Sequence, residues 1–413
     1  MSWANRDGAP VDSEARDGRI TRMNGDALAL FPELLLESTD SVTRGILPVQ
    51  RLEELVANGN IRASTPIGAD QIQPSSIDLR LGKTAYRVSA SFLPTQYATV
   101  EQKLQDLIVE EVDLSTPALL KKGSVYIALL QEELFLPDFI SGRANPKSST
   151  GRLDIFTRLI TDYAAKFEDV RPGYKGKLYA EIAPLTFDVI VREGSRLNQL
   201  RLSRGAPRSS DTMLREMRER EAIVYSPDAS PIRPMIADGL QLSIDLEGTD
   251  SSDIVGYRAL HDTGPIDLAK INYYDPQDFW EPIRRSSKKT IILAAGEFYI
   301  LASKQKVSVP PGYAAEMIPY DPSVGEFRIH YAGFFDPGFG CDVPERSGTH
   351  AVLEVRLHDV PSLLEDGQIV CRLVYEELLA VPTRLYGQGI GSSYSAQRLA
   401  LSKHFKRSAD SRN

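Results

Sequence analysis

The stretch Lys121 to Ile140, KKGSVYIALLQEELFLPDFI, decides the fold, because a second version of it stands at Ala294 to Tyr313 as AAGEFYILASKQKVSVPPGY. Gly123 and Tyr126 fall on Gly296 and Tyr299, and Pro137 falls on Pro310, all at an offset of 173. The same offset carries Glu181 in LYAEIAP onto Glu354 in VLEVRL, and Gly194 onto Gly367. The turns Pro172-Gly173-Tyr174 and Pro337-Gly338-Phe339 are offset by 165, so eight residues are lost before the turn and regained after it. Ser76-Ile77-Asp78-Leu79 recurs as Ser243-Ile244-Asp245-Leu246. Loops that change length between strands held in register are what a duplicated β domain shows.

Most of the chain reads as short alternating strands broken by Gly, Pro and Asp: VYIALLQEELFLP, KLYAEIAPL, RLNQLRLS, FYILASKQKVSVP, AVLEVRL and QIVCRLVYEEL. Helix signals are few. Pro48 opens VQRLEELVANGN, where Leu52, Leu55 and Val56 share a face and Gly59 stands at the C-terminal cap. A charged helix is expected over Asp211 to Ala222. The expected organisation is all-β, with a mobile arm over 1–44, a first β domain over 45–204, a charged linker over 205–234, a second β domain with a Gly-rich tail over 235–400, and a C-terminal tail over 401–413.

Composition narrows the function. The 413 residues carry 56 acidic against 48 basic side chains, a net charge of -8, which argues against nucleic-acid binding as the main task. No apolar run reaches the ~18 residues of a membrane span, and the N-terminus has no signal-like apolar region, so a cytoplasmic protein without membrane contact is expected. Two cysteines, Cys341 and Cys371, fit a reducing compartment. No His-x-Glu with Pro-Cys-x-x-Cys is present, which excludes a zinc-dependent base deaminase, and neither a P-loop nor a dinucleotide-binding glycine motif appears.

Four segments carry candidate chemistry. Lys147-Ser148-Ser149-Thr150-Gly151-Arg152, after Gly142-Arg143 read as a turn, offers hydroxyls, backbone donors and positive charge suited to a polyphosphate, or else is a solvated basic turn. Glu181 and Glu354 occupy the same place in their strands; a retained carboxylate points to a site, although a shared ion pair on a solvated face gives the same pattern. In Gln73 to Gly82, Asp78 and Arg80 share a strand face, which suits an internal salt bridge. The tail Tyr386-Gly387-Gln388-Gly389-Ile390-Gly391-Ser392-Ser393-Tyr394 has the makings of a lid over phosphates or of a flexible terminus.

In this order the segments resemble the dCTP deaminases of the dUTPase-like trimeric β superfamily, nearest their long tandem bacterial form. The likeness rests on QPSSIDLRLG, on SSTGR as the phosphate motif Ser-Ser-x-x-Arg, and on VRPGYKGKLYAEIAPLTFDVIVREGSRLNQLRL, covering roughly 45 to 203. Residues 235 to 400 match more weakly, through HYAGFFDPGFG, AVLEVRL and the tail. The resemblance implies two tandem β-clip, distorted jelly-roll domains in a trimeric homo-oligomer, hydrolysis of dCTP to dUTP and ammonia for thymidylate synthesis, and Mg2+ carried on the triphosphate with no zinc and no protein ligands to metal. It implies Glu181 as general base and acid with Ser148 placing the water, Lys147, Ser149 and Arg152 on the phosphates, and Gln199, Asp336, Tyr386 and Gln388 against the substrate.

Two departures complicate that assignment. Asp169-Val170-Arg171 replaces the family's usual residues before Pro-Gly, and the second half has Asp321-Pro322-Ser323-Val324-Gly325-Glu326 in place of a phosphate motif. Each half therefore lacks what the other keeps. Since the superfamily joins a phosphate motif to a neighbouring hairpin and Glu, a composite site would make Glu354 the base opposite Ser148. The competing activities are a dUTP diphosphatase, alone or combined with the deaminase, in which Asp336 activates water, and a noncatalytic deoxynucleotide-binding regulator.

Overall fold

The computed structural model describes residues 43–249, 252–319, 328–329, 333–341, 347–357, 359–387 and 399–407. The strand Val125–Phe135 lies at the centre of the first half, between Lys175–Pro184 and the long strand Ile77–Val88. Arg196–Arg204 continues this sheet beyond Ile77–Val88, and Ile140–Pro146 follows it. From Leu178 onward the Lys175–Pro184 strand is buried on both faces, so Glu181 lies inside the protein and not on a solvated face.

The duplication is visible bond by bond. Glu181 pairs across the sheet with Ile127, and Glu354 with Ile300, so the register itself repeats at 173. The Tyr126 hydroxyl accepts from Lys121 N at 3.0 Å, and the Tyr299 hydroxyl accepts from Ala294 N at 2.9 Å. Gly123 and Gly296 both have φ of 77°, a left-handed turn that a side chain would strain. Their amides donate to Pro184 O and Leu357 O, at 2.8 Å in each case. In the second half the strand Phe298–Val307 takes the central place beside Thr349–Arg356, and a four-stranded sheet joins Leu240–Ser243, Ile369–Glu377, Tyr313–Pro319 and Phe334–Phe335.

The helix over Val49–Ala57 starts after Pro48 and ends with Asn58 and Gly59, as the sequence indicates. The charged helix spans Asp211–Arg220, capped by the Ser210 side chain on Met213 N at 3.1 Å. A short helix at Val100–Leu104, closed by a Thr99–Gln102 capping box, has no counterpart in the sequence reading. Gly142-Arg143 is not a turn. Both residues lie within Ile140–Pro146, where a side chain at Gly142 would press on the methyls of Leu200 and Leu202.

The halves are not separate globules. Phe279, Trp280, Phe298 and Phe405 pack into the hydrophobic core built by the first half, with Trp280 and Phe187 edge to face at 5.6 Å. The strand Ile266–Asp267 adds in parallel to Val189–Val191. These contacts bring the Lys147–Arg152 segment against the strand Thr349–Arg356. Among the described residues no helix is long and apolar enough to cross a membrane.

Candidate active site

In Thr349–Arg356 the period of two puts Val352, Glu354 and Arg356 on one face. Across from that face, Ser148–Gly151 forms a single helical turn held by Thr150 N and Gly151 N donating to Lys147 O at 2.8 and 3.0 Å. A cleft opens between them. Lys147, Ser148, Gly151 and Arg152 line it from the first half, and Asp336, His350, Val352, Glu354, Tyr386 and Ala400 from the second, with Met317, Phe334, Phe335 and Phe339 as an apolar wall.

Glu354 and Arg152 are both buried, with Oε1 3.7 Å from Nε. Burial pushes the Glu354 carboxyl up to about 7, against the opposing pull of Arg152 and of a backbone hydrogen bond. Arg152 also donates through Nη1 to Ala400 O at 3.0 Å, which fixes its plane. Ser402 Oγ donates to Ser149 O at 2.8 Å and lies 2.9 Å from His404 Nδ1, so residues 399–407 latch onto the back of the Ser148–Gly151 turn. Burial, then the neighbouring Lys403, pushes His404 down to about 4 and keeps its imidazole neutral at pH 7.

Around this centre, Lys147 is ion-paired with Asp78. Arg80 pairs instead with Glu132 at 2.7 Å, so the two residues that share a strand face serve different partners. Asp336 accepts from Ser75 Oγ at 2.6 Å and lies 3.7 Å from Arg201 Nη2; burial raises its pKa, while Arg201 and Ser75 work the other way. Tyr386 is anchored at the rim by its amide to Pro337 O at 2.9 Å and by its ring 5.5 Å from Phe339.

Of the residues singled out in the sequence, Lys147, Ser148, Arg152, Asp336, Glu354 and Tyr386 meet in the cleft. Ser149 is buried behind it, and Gln199 lies behind Pro146, to whose carbonyl its Nε2 donates at 3.4 Å. Glu181 lies outside the lining. Arg158, directly across the strand pair, donates to its Oε1 through Nε at 2.9 Å while stacked 3.4 Å from the Phe167 ring. Gln388 and the segment 321–326 lie outside the described residues. His350 and the latch residues Ala400 and Ser402 have no signal in the sequence, since each reaches the site only through tertiary contact.

Residues 43–206 match the 2'-deoxycytidine 5'-triphosphate deaminase (DCD) N-terminal domain, and residues 210–405 match the C-terminal domain of the same family. A dCTP deaminase, dUMP-forming, from Corynebacterium diphtheriae is 33% identical over 141 residues, covering 33% of this chain and 70% of the relative. The chain belongs to the dCTP deaminase family. Another family member, the dCTP deaminase of Haloarcula marismortui, is 30% identical over 132 residues, covering 32% of this chain and 65% of its own length. The crystal structure of the dCTP deaminase of Agrobacterium tumefaciens is 48% identical, superposes with a TM-score of 0.77, and covers 83% of this chain and 100% of that one. Within this tandem family member, the Lys147–Arg152 turn of one half faces Glu354 on a strand of the other.

Proposed function

We propose that this cleft hydrolyses dCTP to dUTP and ammonia, with Glu354 rather than Glu181 as the group that moves protons. The observation that carries this reading is the buried Glu354 facing Arg152 and Ser148 in one cleft, with its proton held near pH 7. Attack of water on C4 of cytosine needs a base, and collapse of the adduct needs an acid at N3 and at the leaving amine. A carboxyl that titrates near neutrality serves both ends of that transfer. Water gives its proton to Glu354, its oxygen bonds C4, and the proton passes on to N3. Glu354 then takes the proton of the new C4 hydroxyl and delivers it to the amine, so that the C4 carbonyl forms as the C–N bond breaks and ammonia leaves with the bonding electron pair.

Arg152, held by Ala400 O, is placed to orient Glu354 and the attacking water, so phosphate binding falls mainly to Lys147 and the Ser148 side of the cleft. The apolar wall of Phe334, Phe335 and Phe339 suits the base and sugar. Mg2+ is taken to arrive on the triphosphate. Chains of this protein would associate as the trimeric units of the superfamily.

Asp336 supports a second reading. It lines the same cleft, and several relatives are named dUMP-forming, so a further hydrolysis of dUTP to dUMP and pyrophosphate is the alternative product route. Incubation of purified protein with dCTP and Mg2+, followed by chromatography and ammonia assay, tests both. Ammonia with dUTP supports the first reading and ammonia with dUMP and pyrophosphate the second, while no ammonia refutes the deaminase reading for this cleft.

A further inference from the structure

Two residues beyond Arg152 and two beyond Glu354, a second charged pair crosses between the halves with its signs reversed. Arg356 donates through Nε to Asp154 Oδ2 at 3.1 Å, and its Nη2 also reaches that oxygen. Thr186 Oγ1 donates to the same oxygen at 2.6 Å, Arg356 Nη2 donates to Thr186 Oγ1 at 2.7 Å, and Arg356 Nη1 donates to Gly296 O. Asp154 is fully buried and Arg356 nearly so. The Asp154 backbone has φ of 55° and is pinned by Asp154 N to Gly151 O at 2.8 Å and by Leu185 N to Asp154 O at 3.0 Å.

The first half thus offers Arg152 then Asp154, and the second half offers Glu354 then Arg356. The rung at Asp154 is tight and saturated. The rung at Glu354 is open at 3.7 Å. Sliding one half by two residues would set Arg356 against Arg152, or Glu354 against Asp154, with like charges buried together. At the place of Arg356 the first half carries Ala183, so the lock exists in one sense only.

We infer that Asp154 and Arg356 are positioning residues: their pair fixes the register of the two halves and thereby sets Glu354 at its working distance from Arg152. This rests on the reading of Glu354 as the proton-transfer group. The groups around Glu354 are Arg152 on the facing turn, Lys147, Asp336 and His350 in the cleft lining, Arg356 on its own strand, and Ile300 opposite it on the paired strand.

The test compares the native chain with the double variant Asp154→Asn/Arg356→Gln, with Arg356→Lys, and with Glu354→Gln, by kcat, KM, the pH profile of kcat and thermal unfolding. The double variant leaves no unpaired charge, and Asn tolerates the left-handed backbone at 154. The expected result for it is a loss of about tenfold or more in kcat with little change in KM, because a small displacement of a reacting group is expensive. Its acid limb should move to lower pH as Glu354 gains solvent. Arg356→Lys, which keeps the charge but not the two-pronged fork, should stay folded and lose part of kcat, and it decides the matter if the double variant does not fold. Native kcat and an unmoved pH profile in the folded variants, with only a lower melting temperature, would overturn the lock. Native turnover in Glu354→Gln would instead refute the reading on which it rests.

Discussion

Replacing Glu354 by Gln should make the protein more stable and inactive, and the gain should depend on pH. In the unfolded chain the carboxyl releases its proton near 4.5, and in the folded chain near 7. Between those values the folded state holds a proton that the unfolded state has already released, so stability falls as pH rises through that window and levels off above it. At ~1.4 kcal/mol per pH unit the difference amounts to about 3 kcal/mol. The Gln amide resembles the protonated acid, so Glu354→Gln should match the native chain near pH 5 and exceed it by about 3 kcal/mol above pH 8. Other buried carboxyls, such as Glu168 at about 8, tilt both curves alike and cancel in the comparison. Denaturant unfolding at stepped pH measures the gap, and ammonia release measures the activity. A gap that stays constant with pH, or one that favours the native chain at pH 8, would show that burial does not hold the Glu354 proton up to about 7 in the folded chain.

Glu181→Gln should keep turnover within about threefold of native while losing about 1–3 kcal/mol of stability, since it weakens the charged partner of a half-buried Arg158. Steady-state rates and unfolding curves check it together. Ser402→Ala removes the latch bond to Ser149 O and should cost about 1–3 kcal/mol, with a lower kcat as the Arg152 turn loosens. Titration with chelators should raise the KM for dCTP as Mg2+ is depleted, whereas a zinc-selective chelator should leave the rate unchanged.

The architecture was legible because both halves repeat the features that force their geometry. Gly123 and Gly296 allow the same left-handed turn, and Tyr126 and Tyr299 place their hydroxyls on equivalent amides. The different surroundings of Glu181 and Glu354 were not legible from strand alternation, which is identical for the two. Cross-strand register separates them: Arg158 stands directly opposite Glu181 and engages it, a fact that emerges only when strands 155–161 and 175–184 are paired. The composite arrangement was visible in outline, since the first half keeps SSTGR and the second keeps the hairpin and its glutamate. The latch was not, because Ala400 meets Arg152 and Ser402 meets Ser149 across some 250 residues of chain, and no local pattern in LALSKHF signals it. Asp78 and Arg80 show the same limit, as strand faces identify which residues are neighbours in sequence but not which partner each one meets.

In the proposed mechanism the two halves of a single chain build the site. An Arg152→Ala chain and a Glu354→Gln chain, co-expressed and purified together through distinct tags, test it by the rate of ammonia release from dCTP. Each chain alone has a cleft missing one of its two facing groups. If the site lies within a chain, every cleft in the mixed assembly remains defective and the mixture stays as inactive as its components. Recovery of a substantial fraction of native turnover would show instead that Arg152 of one chain meets Glu354 of another.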